Sequence, residues 1–200
     1  MRLILDTANL DDIKYFNDYF PICGVTTNPT ILSREGGDIV AHLVKIREII
    51  GGDKELHVQG TETEWNKMIE EGHAIVALLG ENTFVKIPAT PDGLRAAREL
   101  SGEGVGVTMT AVLSANQALL AAEAGAAYIA PYIASDAYRF ISTNLPVINT
   151  AKNAKIHIVI LITFFLFLLI LTTFRLPVQQ HIACLFIRFL TIKRLIDRLL

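Results

Sequence analysis

The sequence predicts an α/β fold on a parallel sheet, and three observations carry that expectation. Short apolar runs alternate with amphipathic stretches six times before residue 131. Glycines and capping residues punctuate several of the junctions between them. Each strand-like run also leads into a polar residue at its C-terminal side, where parallel β/α proteins build their active sites.

The elements follow in order. Leu3-Ile4-Leu5 reads as a first strand, and residues 10–19 as a helix. Gly24 to Thr27 makes a second strand. Residues 38–50 set Ile39, Leu43, Ile46 and Ile50 on one helical face, and Gly51-Gly52 stops that helix. Leu56 to Val58 is a third strand, followed by a helix over 62–79 whose packed face takes Trp65 and Met68. Thr83 to Ile87 is apolar enough to be buried on both faces. Pro91 and Asp92 suit the first turn of a helix through Leu100, ended by Gly102 and Gly104. Val105 to Thr108 forms a fifth strand; Ser114 caps a helix to Ala124, with Gly125 as its stop. Tyr128 to Ala130 is the sixth strand. Six such repeats with right-handed crossovers give either an open doubly wound sheet or a barrel.

Composition divides the chain. Residues 1–136 hold 10 Lys/Arg against 19 Asp/Glu, a net −9, whereas residues 137–200 hold 8 against 1, a net +7. All 13 glycines lie at or before Gly125. A β/α repeat needs glycine for its helix stops and tight turns, so the expected division is a partial barrel over 1–135 and an atypical apolar and basic tail over 136–200. Within that tail, residues 156–174 run for 19 residues without a charged side chain, which as a helix would extend about 28 Å. Three readings fit it: a membrane-spanning segment, a buried helical plug, or an ending foreign to the domain through truncation, frameshift or fusion. The unfinished repeat favours the last.

The overall net charge of −2 gives no electrostatic attraction to nucleic acid. Cys23 and Cys184 are too few for a disulfide framework, and the five histidines show no metal-ligand spacing. Arg2 is followed by only three apolar residues before Asp6, not by an extended signal-peptide core, so a cytoplasmic chain is expected. Gly36-Gly37 and Gly51-Gly52 read as turns outside any phosphate-loop motif.

The six strands bring Asp6, Asn28, Gln59, Lys86, Thr110 and Tyr132 to one end of the sheet. Lys86 is the most informative of them. Flanked by Phe84, Val85, Ile87 and Pro88, it is poorly placed to be a solvated charge. Desolvation disfavours the ammonium and leaves an amine nucleophile near neutral pH. Asp6 can pair with it and relay protons, while Gln59, Thr110 and Tyr132 can hold a water for acid–base work.

LDTAN (5–9), GVTTNPT (24–30), HVQ (57–59), VKIPAT (85–90), TAVLSANQALLAAEAGA (110–126) and YIAPY (128–132) resemble the small transaldolase family. Within it they are most similar to the fructose-6-phosphate aldolase branch. The likeness covers about residues 1–133 and implies an incomplete TIM-type (β/α) barrel with a metal-free, cofactor-free Schiff-base mechanism. By that resemblance Lys86 is the Schiff-base lysine, Asp6 the acid–base carboxylate, Asn28 a contact to donor hydroxyls, and Thr110 a water-positioning hydroxyl. Gln59 and Tyr132 favour aldolase over transaldolase, because related transaldolases carry glutamate and phenylalanine there. The implied partner is a small sugar phosphate, and the implied assembly a homo-oligomer.

The likeness breaks after Tyr132. Ala134 and Ser135 stand where the family has Asn and Arg, and no later stretch matches its seventh and eighth strands. Weak phosphate binding and open sheet edges are therefore expected.

Overall fold

The computed structural model describes residues 3–132, 157–158 and 162–163. The chain divides into two compact units, Met1–Ile162 and Thr163–Leu200, and the first six strands with the helices between them lie in the first unit. The 135/136 boundary expected from composition lies outside the described residues.

Six parallel strands alternate with helices: β1 (Ile4–Asp6), α1 (Leu10–Tyr19), β2 (Gly24–Thr26), α2 (Pro29–Glu35), α3 (Ile39–Ile50), β3 (Glu55–Gln59), α4 (Trp65–Leu79), β4 (Thr83–Pro88), α5 (Pro91–Gly102), β5 (Gly106–Val112), α6 (Ala115–Glu123) and β6 (Tyr128–Pro131). The strands pair in sequence order, each parallel to the next. Two short strands, β7 (His157–Ile158) and β8 (Ile162–Thr163), extend the order to β7-β6-β5-β4-β3-β2-β1-β8.

This corrects two expectations. The outer edge of β6 is paired, Tyr128 with His157 and Ile129 with Ile158, rather than open. Residues 157–158 and 162–163 are strand, although the apolar run reads as a helix. Their β-branched isoleucine and threonine suit a pleated edge, and pairing satisfies backbone groups that an open edge leaves exposed. The remainder of 156–174 lies outside the described residues. Among those described, no helix is long and apolar enough to cross a membrane.

Alternation along the strands sets up two faces. Val25, Leu56, Val58, Val85, Ile87, Val107, Met109 and Ile129 point outward and pack under the helices, forming two buried clusters with Ile13, Ile46, Leu100 and their neighbours. The inner face shows the curl: Ile4 on β1 and Tyr128 on β6, five strands apart in the order, share one buried cluster. The six strands thus make an incomplete TIM-type barrel.

Helix starts follow the local chemistry. Asn9, Asn28, Asp38, Thr90 and Ser114 each cap a helix through the side chain. Helix α4 begins at Trp65 rather than at residue 62, because the Glu71 carboxylate captures the Thr61 and Glu62 N–H groups at 2.9 and 3.1 Å and holds them as a loop. Leu43, Ile46 and Ile50 are buried as the helical periodicity predicts; Ile39, in the first turn, is exposed. Met68 is buried and Trp65 packs beside it against the same cluster, with Arg95 stacked 3.6 Å from the indole centroid.

Candidate active site

Lys86 lies on the inner face of β4 and is only 4 % exposed. Its Nζ donates to Thr26 Oγ1 at 2.9 Å and to the Thr27 carbonyl at 2.6 Å. Burial lowers its pKa to about 8, opposed by the neighbouring Asp6 carboxylate. Two of the three N–H donors of the ammonium are met by these acceptors. On loss of the third proton the amine keeps both bonds and turns its lone pair to an electrophile.

Asp6 closes β1 and is in register with Thr26, the residue that holds the Lys86 amine. Its Oδ1 is buried and has no hydrogen-bond partner among the described residues. Burial raises the Asp6 pKa, and the attraction of Lys86 lowers it by less. Acid and amine therefore each lean toward the uncharged form, an arrangement suited to moving a proton between them.

The strand register supplies the neighbours. Lys86 is paired with Gln59 on one side and Thr108 on the other, so all three side chains leave the same face. Thr110 pairs with Pro88 one step nearer the rim. The β5–β6 register shifts between Met109 and Val112, and Ala111 adopts a φ of 54° there. A bulge with a left-handed non-glycine residue turns the strand beside Thr110, a device frequent next to active sites.

Asn28 follows β2 and uses its Oδ1 to cap α2, accepting from Ile31 N at 3.0 Å. Its amide nitrogen remains as a donor. Tyr132 lies one residue past β6 with 61 % of its surface exposed, at the rim rather than beside the amine. The structure thus brings Asp6, Gln59 and Lys86 together, sets Thr110 and Asn28 near the strand ends, and leaves Tyr132 outermost. Ala134 and Ser135 lie outside the described residues.

Sequence reasoning missed the residues that hold the amine. Thr26 and Thr27 are both buried, and either can be read from sequence as plain β-strand filler. It also missed a buried polar group on the inner face: Glu55, His57, Thr108 and Tyr128. The Tyr128 hydroxyl donates to the Glu55 carboxylate at 2.8 Å, and His57 Nδ1 meets Thr108 Oγ1 at 2.8 Å. The signal was present, since Glu55, His57 and Gln59 alternate on one face of β3. Among the described residues no group of histidine, cysteine and acid side chains is arranged to hold a metal ion.

Comparison with known proteins places the chain in a family. A family model described as Transaldolase/Fructose-6-phosphate aldolase matches residues 3–154. Over 133 residues the chain is 47 % identical to a probable transaldolase of Nitrosopumilus maritimus, covering 66 % of this chain and 59 % of that protein. It is 43 % identical to a probable fructose-6-phosphate aldolase of Streptococcus pneumoniae, covering 66 % and 60 %. The chain thus spans about three fifths of these curated relatives. Among solved structures, a racemase from Streptomyces coelicolor with bound magnesium aligns with a TM-score of 0.51 at 15 % identity, over 74 % of this chain and 48 % of that one. A 3,6-anhydro-D-galactonate cycloisomerase from Zobellia galactanivorans gives 0.53 at 9 %, over 78 % and 45 %. At such identities the two likenesses concern the fold alone.

Proposed function

The chain belongs to the transaldolase/fructose-6-phosphate aldolase family, and from that premise we propose that it acts as a Schiff-base aldolase on a ketose phosphate. The observation that carries this reading is the Lys86 amine, buried, hydrogen-bonded to Thr26 and Thr27, and shifted to about pH 8 beside Asp6.

The reaction follows from those groups. The Lys86 lone pair adds to the C2 carbonyl of the ketose, and loss of water from the carbinolamine gives an iminium. Removal of the C4 hydroxyl proton breaks the C3–C4 bond; its electrons pass into the iminium and form an enamine. Asp6, uncharged more readily than an ordinary carboxyl, is suited to carry protons in these steps. Protonation of the enamine at C3 and hydrolysis then return Lys86. With fructose 6-phosphate as substrate the products are glyceraldehyde 3-phosphate and dihydroxyacetone.

Gln59, in register with Lys86, supports the aldolase reading, as does the residue type of Tyr132. The exposed rim position of Tyr132 suits proton delivery at the mouth of the site. The second reading is transfer of the dihydroxyacetone unit to an acceptor aldose, and the relative in Nitrosopumilus maritimus, named as a probable transaldolase, favours it.

Borohydride trapping tests the chemistry. Full-length protein incubated with dihydroxyacetone and reduced is expected to carry one adduct on Lys86, absent from Lys86→Ala. An adduct elsewhere, or none in folded protein, removes the mechanism. Adding an acceptor aldose separates the readings: exchange without free dihydroxyacetone identifies transfer.

A further inference from the structure

His57 takes no part in the reaction described, yet it is held closely on the inner face. It is fully buried. Its ring stacks on Phe84 with centroids 4.8 Å apart and planes at 17°, and Tyr128 meets it edge-on at 4.9 Å. Nε2 lies 3.6 Å from Glu55 Oε2, while Nδ1 meets Thr108 Oγ1 at 2.8 Å.

The registers show where that last bond runs. His57 on β3 is level with Phe84 on β4, and Lys86 on β4 is level with Thr108 on β5. A bond from His57 to Thr108 therefore crosses the inner face of β4 diagonally, above Phe84 and below Lys86. Lys86 leans the other way, over β3 to Thr26 on β2. The two side chains cross in opposite directions, each spanning the strand that carries the other. Gly24 and Gly106 leave room for this layer: a Cβ on Gly24 would stand 2.3 Å from the Glu55 carbonyl oxygen, and one on Gly106 would stand 2.6 Å from the Phe84 ring.

We propose that His57 is a positioning residue whose imidazole, tied to Thr108, fills the β5 side of the interior beneath Lys86 and confines the amine to Thr26 and Thr27. The inference rests on the reading of Lys86 as the reactive amine. Glu55 completes the device. A carboxylate facing Nε2 favours the proton there, which leaves Nδ1 to accept from the Thr108 hydroxyl. Without that tie the Lys86 stem gains space toward β5, where neither acceptor follows it.

The test reads the amine directly. Competitive acetylation of the full-length chain with acetic anhydride, mapped by mass and referenced to the exposed Lys14, gives the titration midpoint of Lys86. In His57→Leu and Thr108→Val, Lys86 stays buried but loses its acceptors, so the midpoint is expected to fall by about half a unit or more. The double variant is expected to fall no further than the larger single one, because both changes cut the same tie. His57→Asn, whose side-chain oxygen stands near the position of Nδ1, is expected to restore most of the shift. Unchanged midpoints in folded single variants, or a double variant showing the sum of the two shifts, overturn the proposal. If His57→Leu does not fold, the nearly isosteric Thr108→Val decides alone. A wild-type chain that forms no dihydroxyacetone adduct but shows the coupled shifts refutes the aldolase reading and keeps this one. An adduct with uncoupled midpoints does the reverse.

Discussion

Lys86 donates a 2.6 Å hydrogen bond to the Thr27 carbonyl, 59 residues earlier in the chain, and a second bond to the adjacent Thr26 hydroxyl. The carbonyl belongs to the backbone and survives any side-chain change. The hydroxyl does not, and so offers a direct handle on the amine. Thr26→Val removes one acceptor at nearly constant volume. The Lys86 midpoint is expected to fall below about 8, and borohydride trapping at neutral pH to slow about tenfold as the amine loses its fixed direction.

Asp6→Asn separates binding from cleavage. Loss of the carboxylate removes the attraction that raises the Lys86 pKa, so the midpoint again falls below about 8. The amine remains nucleophilic, and the dihydroxyacetone adduct still forms. Turnover of ketose phosphate is expected to drop about 10²- to 10⁴-fold, the usual loss on removing an acid–base group. Equal losses in adduct formation and turnover would show that Asp6 only shapes the site.

Lys86 also leaves a signature in stability. Its proton dissociates near pH 8 in the folded chain and near 10.5 when unfolded. Between those values the unfolded chain binds more protons, so stability rises with pH across that window, by roughly 3 kcal/mol for this one group. Denaturant midpoints of wild type minus those of Lys86→Met isolate the effect. Asp6 acts oppositely in acid: its raised pKa adds stability below the usual 3.8, lost as pH climbs through the folded value.

The Glu71 carboxylate accepts from Thr61 N, Thr61 Oγ1 and Glu62 N, just beyond Gln59. Glu71→Ala is expected to cost about 1–2 kcal/mol and to extend exchange of the 60–64 amides with solvent. Gly60→Ala would set a Cβ 2.2 Å from Glu71 Oε2 and is expected to be milder, since a flexible side-chain end can move. Urea titration with hydrogen exchange checks both.

Gly93 offers the contrasting case. A Cβ there would stand 1.9 Å from the Pro88 carbonyl oxygen, a backbone atom at the end of the strand that carries Lys86. Gly93→Ala is expected to destabilise by about 3 kcal/mol or more, because α5 must move off β4. Thermal unfolding reads the loss.

The six strands and most of the helices between them were legible because each follows from local pattern: apolar alternation, capping side chains and glycine stops. Lys86 was legible too, since a lysine between Val85 and Ile87 has no route to water in a buried strand. Helix α2 gave no periodic signal over its seven residues, and the early start assigned to α4 overlooked a carboxylate six positions into the helix. The strand pairing of residues 157–158 was invisible for another reason: an apolar β-branched run is compatible with helix or strand, and only a waiting edge decides.

What the sequence determined by itself is the succession of strands and helices along the chain, the end at which polar residues gather and the burial of Lys86. What only the tertiary structure decided is which groups touch that amine. Thr26 ends β2, Thr27 follows it and Lys86 lies on β4, so their contacts depend on register and on the curl of the sheet. Those are set by the packing of every strand at once, a long-range condition that no local run of residues encodes.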